Sequence, residues 1–351
     1  MGKLFFGFLF AVGFVTTAYG HHSRTWHFDI DAEITIEGVV KEYQFVNPHS
    51  RLFVDATDDD GNTVTWDCDL INAASAIRYG WTKDLFQPGQ RIVINANPPT
   101  TNENECYYLS GVLEDGTRIT RVERFSEEAL AHGPNPAGEA RVSKGGNPSL
   151  SRNWGAAIRE NAGGGGPPLP GEPNRRAAML SDLGRSALEA YNPLTDDPSL
   201  QCKPVSIARL WGHGSPMKIR EYIAQDVVLI DHEFMDAKRI VHLDQSEHPQ
   251  NLTHSALGHS IGRYEGSTLV IDTIGYTAGV LYQFPGLPHS NQLHTVERLT
   301  PSDDGQVIEI SWVANDSEYF TDIVTGNLRR GVTTEPVGEY NCVHPGSVSE
   351  S

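Results

Sequence analysis

Hydrophobic and polar positions alternate in short runs along most of the chain, and these runs predict strands. Residues 34–46 form a long extended stretch interrupted at Gly38, where a strand without a side chain bends sharply. Residues 51–57 and 63–68 follow as two strands around the Asp60-Gly61 hairpin turn. Asn72 caps a short helix that runs to Tyr79 and stops at Gly80. Residues 91–95 and 107–113 are the fourth and fifth strands, and Asp115-Gly116 turns the chain into 117–122. Three strands, a helix and two strands is the order of a five-stranded OB-like barrel whose bent first strand serves both sheets.

Between residues 125 and 173 the alternation stops. Gly, Pro, Asn and Ser dominate there, including Gly163 to Gly166 followed by two prolines, so a linker or long surface loop is expected, with room for a brief strand at 150–154. Residues 175–191 have helical spacing through Met179, Leu183, Leu188 and Tyr191. Strand signals return after Cys202, at 217–223, 225–234, 239–243, 261–264, 268–274, 294–299 and 307–313, with 331–335 and 338–342 closing the sheet. That series predicts an antiparallel, lipocalin-like β-barrel large enough for a small ligand. The reading is a mainly β protein, with an OB-like domain over 21–124, a linker over 125–173 and an antiparallel barrel over 174–345.

The first twenty residues stand apart. Lys3, the apolar run 4–15 and the small residues around Ala18-Tyr19-Gly20 make the pattern of a secretory signal peptide over 1–20. The mature chain is therefore expected in the periplasm or outside the cell, with no stable membrane insertion after cleavage. Export makes the four cysteines legible as disulfides. Of the three pairings, Cys68 with Cys106 and Cys202 with Cys342 is favoured, because each bridge then closes one domain on itself. A net charge of -18, with no stripe of Lys and Arg, argues against a nucleic-acid partner.

His21-His22-Ser23, Gly38-Val39-Val40, the Asn47-Pro48-His49 turn, Trp66 and Gly80-Trp81 resemble the DUF6152 family of exported bacterial proteins, over roughly residues 21–122. That family brings no function with it. GHSIGRYEGSTLVIDTIGY and PHSNQLHTVERL resemble the C-terminal part of uncharacterised exported bacterial proteins that read GHSxGxWEGDTLVVDT and HSxxLHxxER. Tyr264 and Ser267 stand where that pattern has Trp and Asp. The second resemblance implies a relationship and no activity.

Two constellations carry candidate chemistry. If cleavage follows Gly20, His21 offers its α-amine and its imidazole, a chelating pair suited to copper, with His22, His27 or His49 as further ligands. Cleavage after Ala18 instead puts a histidine third in the chain, which also chelates copper. The candidate metal residues are His21, His22 and His49.

The second constellation spans 254–298 and concentrates His254, His259, Glu265, Asp272, His289, His294 and Glu297. Period-2 alternation puts Asp272 on one face with Thr268, Val270 and Ile274, and puts His294 with Val296 and Arg298, opposite Glu297. Asp272, His294 and Arg298 are expected to face one cavity. A carboxylate so placed needs a partner, and Arg263, Arg298 or His294 supplies one. Either these charges pin the barrel register, or they work as acid and base.

The leading expectation is a small organic ligand bound in the second barrel, with His259, Tyr264, Glu265 and His289 as ligand-binding residues. The alternative is a cofactor-independent lyase, isomerase or hydrolase. Its proton transfers use His294 with Asp272 or Glu297, and Arg263 or Arg298 steadies negative charge.

Overall fold

Strand β1 (Ile34–Gln44) pairs with two partners, and that double pairing starts the first barrel. Its first half runs antiparallel to β4 (Arg91–Asn97), and its second half to β2 (Arg51–Thr57). At Gly38 the backbones meet so closely that a Cβ would fall 2.5 Å from the Asp55 carbonyl oxygen. Strand β3 (Thr63–Asp69), helix α1 (Ala73–Arg78), β5 (Glu105–Leu113) and β6 (Arg118–Thr120) complete the unit. The sheet order is β3-β2-β1-β4-β5-β6, and parallel pairing of β3 with β5 closes five strands into a barrel. Cys68 and Cys106 face each other at that seam and are disulfide-bonded. Leu52, Val54, Ile92 and Ile94 fill the interior beside Trp81, Phe86 and Tyr108.

The structure is a computed structural model that describes residues 27–58, 60–100, 104–121, 149–158, 177–192, 195–282 and 286–344. The signal-peptide stretch, His21 and His22 lie outside them. Among the described residues no helix is long and apolar enough to cross a membrane.

The second barrel is built from nine strands: β7 (Asn153–Ile158), β8 (Met217–Tyr222), β9 (Val227–His232), β10 (Lys238–His242), β11 (His259–Glu265), β12 (Thr268–Ile274), β15 (His294–Pro301), β16 (Val307–Asn315) and β17 (Val324–Val332). They pair in that order, and β17 closes on β7. A separate hairpin, β13 (Gly279–Tyr282) with β14 (Leu287–His289), joins β12 to β15. Three features differ from the sequence expectation, the first being that 338–342 forms no strand and the last strand ends at Val332, so closure falls to β17 and β7. The stretch read as a linker supplies β7, and β10 pairs with β11 in parallel, because residues 243–258 carry the chain back before β11 begins.

Alternation decides what faces inward. Along β16 the buried set is Ile308, Ile310, Trp312 and Ala314, and the residues between them point out. Gly326 lies against the Trp312 ring, where a Cβ would come within 2.3 Å. After helix α2 (Asp182–Ala190) the barrel's interior also takes helix α3 (Ile207–Gly212), whose Ile207 and Trp211 are fully buried in the core. Arg330 holds that helix's end. Its guanidinium donates to the carbonyls of Trp211 (2.7 Å), His213 (2.7 Å), Ser215 (3.0 Å) and Gly155 (2.6 Å). Burial lowers its pKa to about 10, since no carboxylate compensates the desolvation. Trp211 thus packs into the barrel's hydrophobic core together with Trp154, Ile219 and Ile271.

The barrels touch through a small apolar cluster of Val205, Leu210, Phe234 and Tyr340, against which Ala74 and the Cys202–Cys342 disulfide pack. Arg78 of α1 pairs with Glu233, and with Glu335 at 3.2 Å. The Asn47 carbonyl accepts from the Val343 amide at 2.7 Å.

Candidate functional site

Strand β10 reads Lys-Arg-Ile-Val-His, so Arg239 and Val241 point into the barrel while Lys238, Ile240 and His242 point out. Inside, Arg239 meets Glu297 of β15 in a bidentate pair, Nη1 to Oε1 at 2.9 Å and Nη2 to Oε2 at 2.6 Å. Their side chains are 2% and 0% exposed, so this is a fully desolvated ion pair. Part of its remaining hydrogen-bonding capacity is used locally. Trp211 Nε1 donates to Glu297, and Arg239 Nη2 reaches Ser260 Oγ at 3.1 Å and Thr273 Oγ1 at 3.3 Å. The Arg239 Nε–H is buried with no hydrogen-bond partner among the described residues. His232 stands with its ring edge on Trp211, and burial together with Arg330 and Arg239 keeps it neutral, with its pKa far below the histidine range.

On the outside of the same wall the histidines form a chain. His242 stacks on His259, with ring centroids 5.1 Å apart. His259 Nδ1 lies 3.0 Å from His248 Nδ1, and His248 Nε2 lies 3.0 Å from Asp272 Oδ1. His294 Nε2 approaches the same oxygen at 2.9 Å. Burial pushes the Asp272 carboxyl up, but hydrogen bonds from His294 and His248 outweigh it and hold the pKa below the usual value. Asp272 in turn raises the pKa of His294 against the effect of burial. His259 is lowered by burial, and further by His242 and His248 beside it. Among the described residues no group of three or more His, Cys, Asp or Glu is disposed to hold a metal ion.

A cleft opens between these two networks. Strand β11 pairs with β10 only at Val241 and His242, so Lys238 to Ile240 have no β11 partner and loop 255–258 stands off as a rim. The gap measures about 310 Å³. Lys238, Arg239, His242, His259 and Ser260 lie in its lining, with Ile240 and Leu257 as apolar walls.

Asp272, His294 and Arg298 do share a face, but it is the outer one. Asp272 and His294 meet there, whereas Arg298 turns away to Glu265, 2.8 Å distant. Arg263 also pairs with Glu265, at 2.8 Å, and both arginines are solvent-exposed. Glu297 lies on the opposite side of the wall, with Arg239. The Tyr264 hydroxyl donates to Glu221. His289 is buried on β14, its Nδ1 3.0 Å from the Ser290 carbonyl, and only His259 of the expected ligand-binding set lines the cleft. His49 Nδ1 lies 2.8 Å from Asp69 Oδ2 beside a second cleft of about 320 Å³ between the barrels. Arg239, His242 and His248 join the site without being candidates in the sequence. The signal for the first was a charged residue in register with Val241, on a face that has to be buried.

Residues 10–106 match the model described as a family of unknown function, DUF6152, and this match covers the N-terminal part of the chain. No curated protein and no solved structure matches the chain.

Proposed function

We propose a function from the second barrel, since the family matched by the N-terminal part has none assigned: the protein holds a small organic carboxylate in the cleft at the β10–β11 seam. The observation that supports this is the cleft's charge. In a chain of net charge -18, its lining contains Lys238, His242 and His259 beside Arg239, whose charge Glu297 compensates from inside the barrel, and none of its lining residues is Asp or Glu. A basic recess in an acidic surface concentrates anions. The volume of about 310 Å³ suits a molecule at the small end of the usual range. Ser255 supplies a hydroxyl at the rim, and Pro204, Ile240 and Leu257 cover apolar parts of a ligand.

The protein works outside the cytoplasm on this reading. The charged, apolar and small-residue pattern of the first twenty residues supports it, and so do two disulfides with no free cysteine among the described residues.

Calorimetric titration of the full chain with a panel of small mono- and dicarboxylates, each beside its neutral amide, tests the binding. At least one acid binds with a Kd below about 1 mM, and its amide and the Lys238→Gln variant each weaken binding about tenfold, about 1.4 kcal/mol. Equal affinity for acid and amide, or an unchanged Lys238→Gln variant, overturns it.

A further inference from the structure

We propose that His259 is a proton acceptor for the molecule in the cleft, held in its basic tautomer by Asp272 acting through His248. This rests on the cleft being the ligand site, and it adds proton transfer to binding. Neutral imidazole has one N–H and one lone pair, so a chain of ring-to-ring hydrogen bonds has a direction. Asp272 sets that direction, because an ionised carboxylate only accepts. His248 therefore donates to Asp272 Oδ1 through its Nε2–H, over 3.0 Å, and its Nδ1 carries the lone pair. The 3.0 Å contact between the two Nδ1 atoms is then donated by His259. What remains on His259 is the Nε2 lone pair. That atom has no hydrogen-bond partner among the described residues, and its ring lies in the cleft lining.

The arrangement extends the carboxylate–histidine pair of hydrolytic triads by one imidazole. The substrate class is a small carboxylate with a hydrogen on the carbon next to a carbonyl. The C–H bond breaks, its electron pair moves into the enolate, and the proton bonds to Nε2 of His259. The Nδ1 proton of His259 passes to Nδ1 of His248, so the positive charge comes to rest on His248 against the Asp272 carboxylate. Return of the proton to a different atom completes an isomerisation, with no oxidant or reductant required. Lys238 of β10 lines the cleft on the outer face and meets the developing negative charge, and His242 of the same strand stacks on His259. His294 takes the other approach to Asp272 Oδ1 and stays toward solvent.

Histidine tautomers are read directly by long-range proton–nitrogen correlation spectra of the full chain labelled with nitrogen-15, at a pH above the histidine range. The expected result is a single Nδ1–H tautomer at His259, replaced by a mixture of tautomers in Asp272→Asn and in His248→Ala. An Nε2–H tautomer in the native chain overturns the proposal, as does a His259 signal unchanged in both variants. Asp272 lies on the outer face, and far-ultraviolet circular dichroism of each variant checks the fold. The spectra need no ligand, so they fail separately from the carboxylate titrations. If no carboxylate binds, the site is lost whatever the tautomer; if binding holds and the tautomer is wrong, only the proton transfer is lost.

Discussion

Arg239 donates to both carboxylate oxygens of Glu297, at 2.9 and 2.6 Å, inside the nine-stranded barrel. Neither group meets solvent, so each is the other's only full charge compensation. Glu297→Ala leaves the guanidinium buried and alone, and it should lower the unfolding free energy by about 3–5 kcal/mol. Replacing both partners with Met and Leu should recover most of that loss. Urea unfolding of the two variants checks this, and a double variant no better than the single one contradicts it.

Arg330 presents the opposite case, a buried cation satisfied by carbonyls alone. It carries the end of α3, and with it Trp211, which donates to Glu297. Arg330→Met strands the carbonyls of Trp211, His213, Ser215 and Gly155, and a single unsatisfied group costs about 1–3 kcal/mol. We expect a loss of at least about 3 kcal/mol in thermal or urea unfolding. Near-ultraviolet circular dichroism should show a changed Trp environment. A stable variant with the native signal would mean that α3 is held without Arg330.

The Asp272–His294 pair sets a pH window. The folded pKa of His294 is raised, so its contribution to stability is complete below about pH 6.5 and fades as pH rises through the folded value. The folded pKa of Asp272 is lowered, so its contribution is present above about pH 3.9 and is lost as pH falls through the folded value. Between those limits both hold. His259 works the other way: its lowered pKa makes protonation below about pH 6.5 destabilising. Proton resonances of the histidines should place His294 above the ordinary value, and Asp272→Asn should bring it down. A His294 titration that ignores Asp272→Asn contradicts the pairing.

The Cys202–Cys342 disulfide spans 140 residues and encloses most of the second barrel. Chain-entropy arguments assign such a loop about 4–5 kcal/mol, an upper figure where the open chain retains structure. Cys202→Ser with Cys342→Ser should lower the midpoint of thermal unfolding, with the larger effect on the second barrel. If only the first barrel's transition moves, the bridge acts through the inter-barrel contact.

Much of the fold was readable because alternation and turn chemistry agreed. Gly38 marked the bend of β1, Asp60-Gly61 a hairpin, and both disulfides followed from closing each half on itself. The wall bearing the site resisted reading for a physical reason. Leu269 and Ile271 alternate with Val270 and Ile274, so both faces of β12 are apolar and period 2 cannot say which one is inside. Alternation groups Asp272 with the apolar Val270 and Ile274 and so with the cavity side, yet it lies outside, where Val270 is covered all the same. His242 and His248 come from a strand and a connection that join β11 only through a parallel pairing, a contact no local pattern announces. The sequence marks His259 as a ligand-binding candidate, and its place beside those two depends on that pairing.

The most direct measurement is a crystal structure of the full chain with the tightest-binding carboxylate of the panel. The account predicts that the ligand lies between β10 and loop 255–258, its carboxylate against Lys238 and its carbon skeleton facing His259. A carboxylate bound between the two barrels near His49, or anywhere else with this cleft empty, would contradict it.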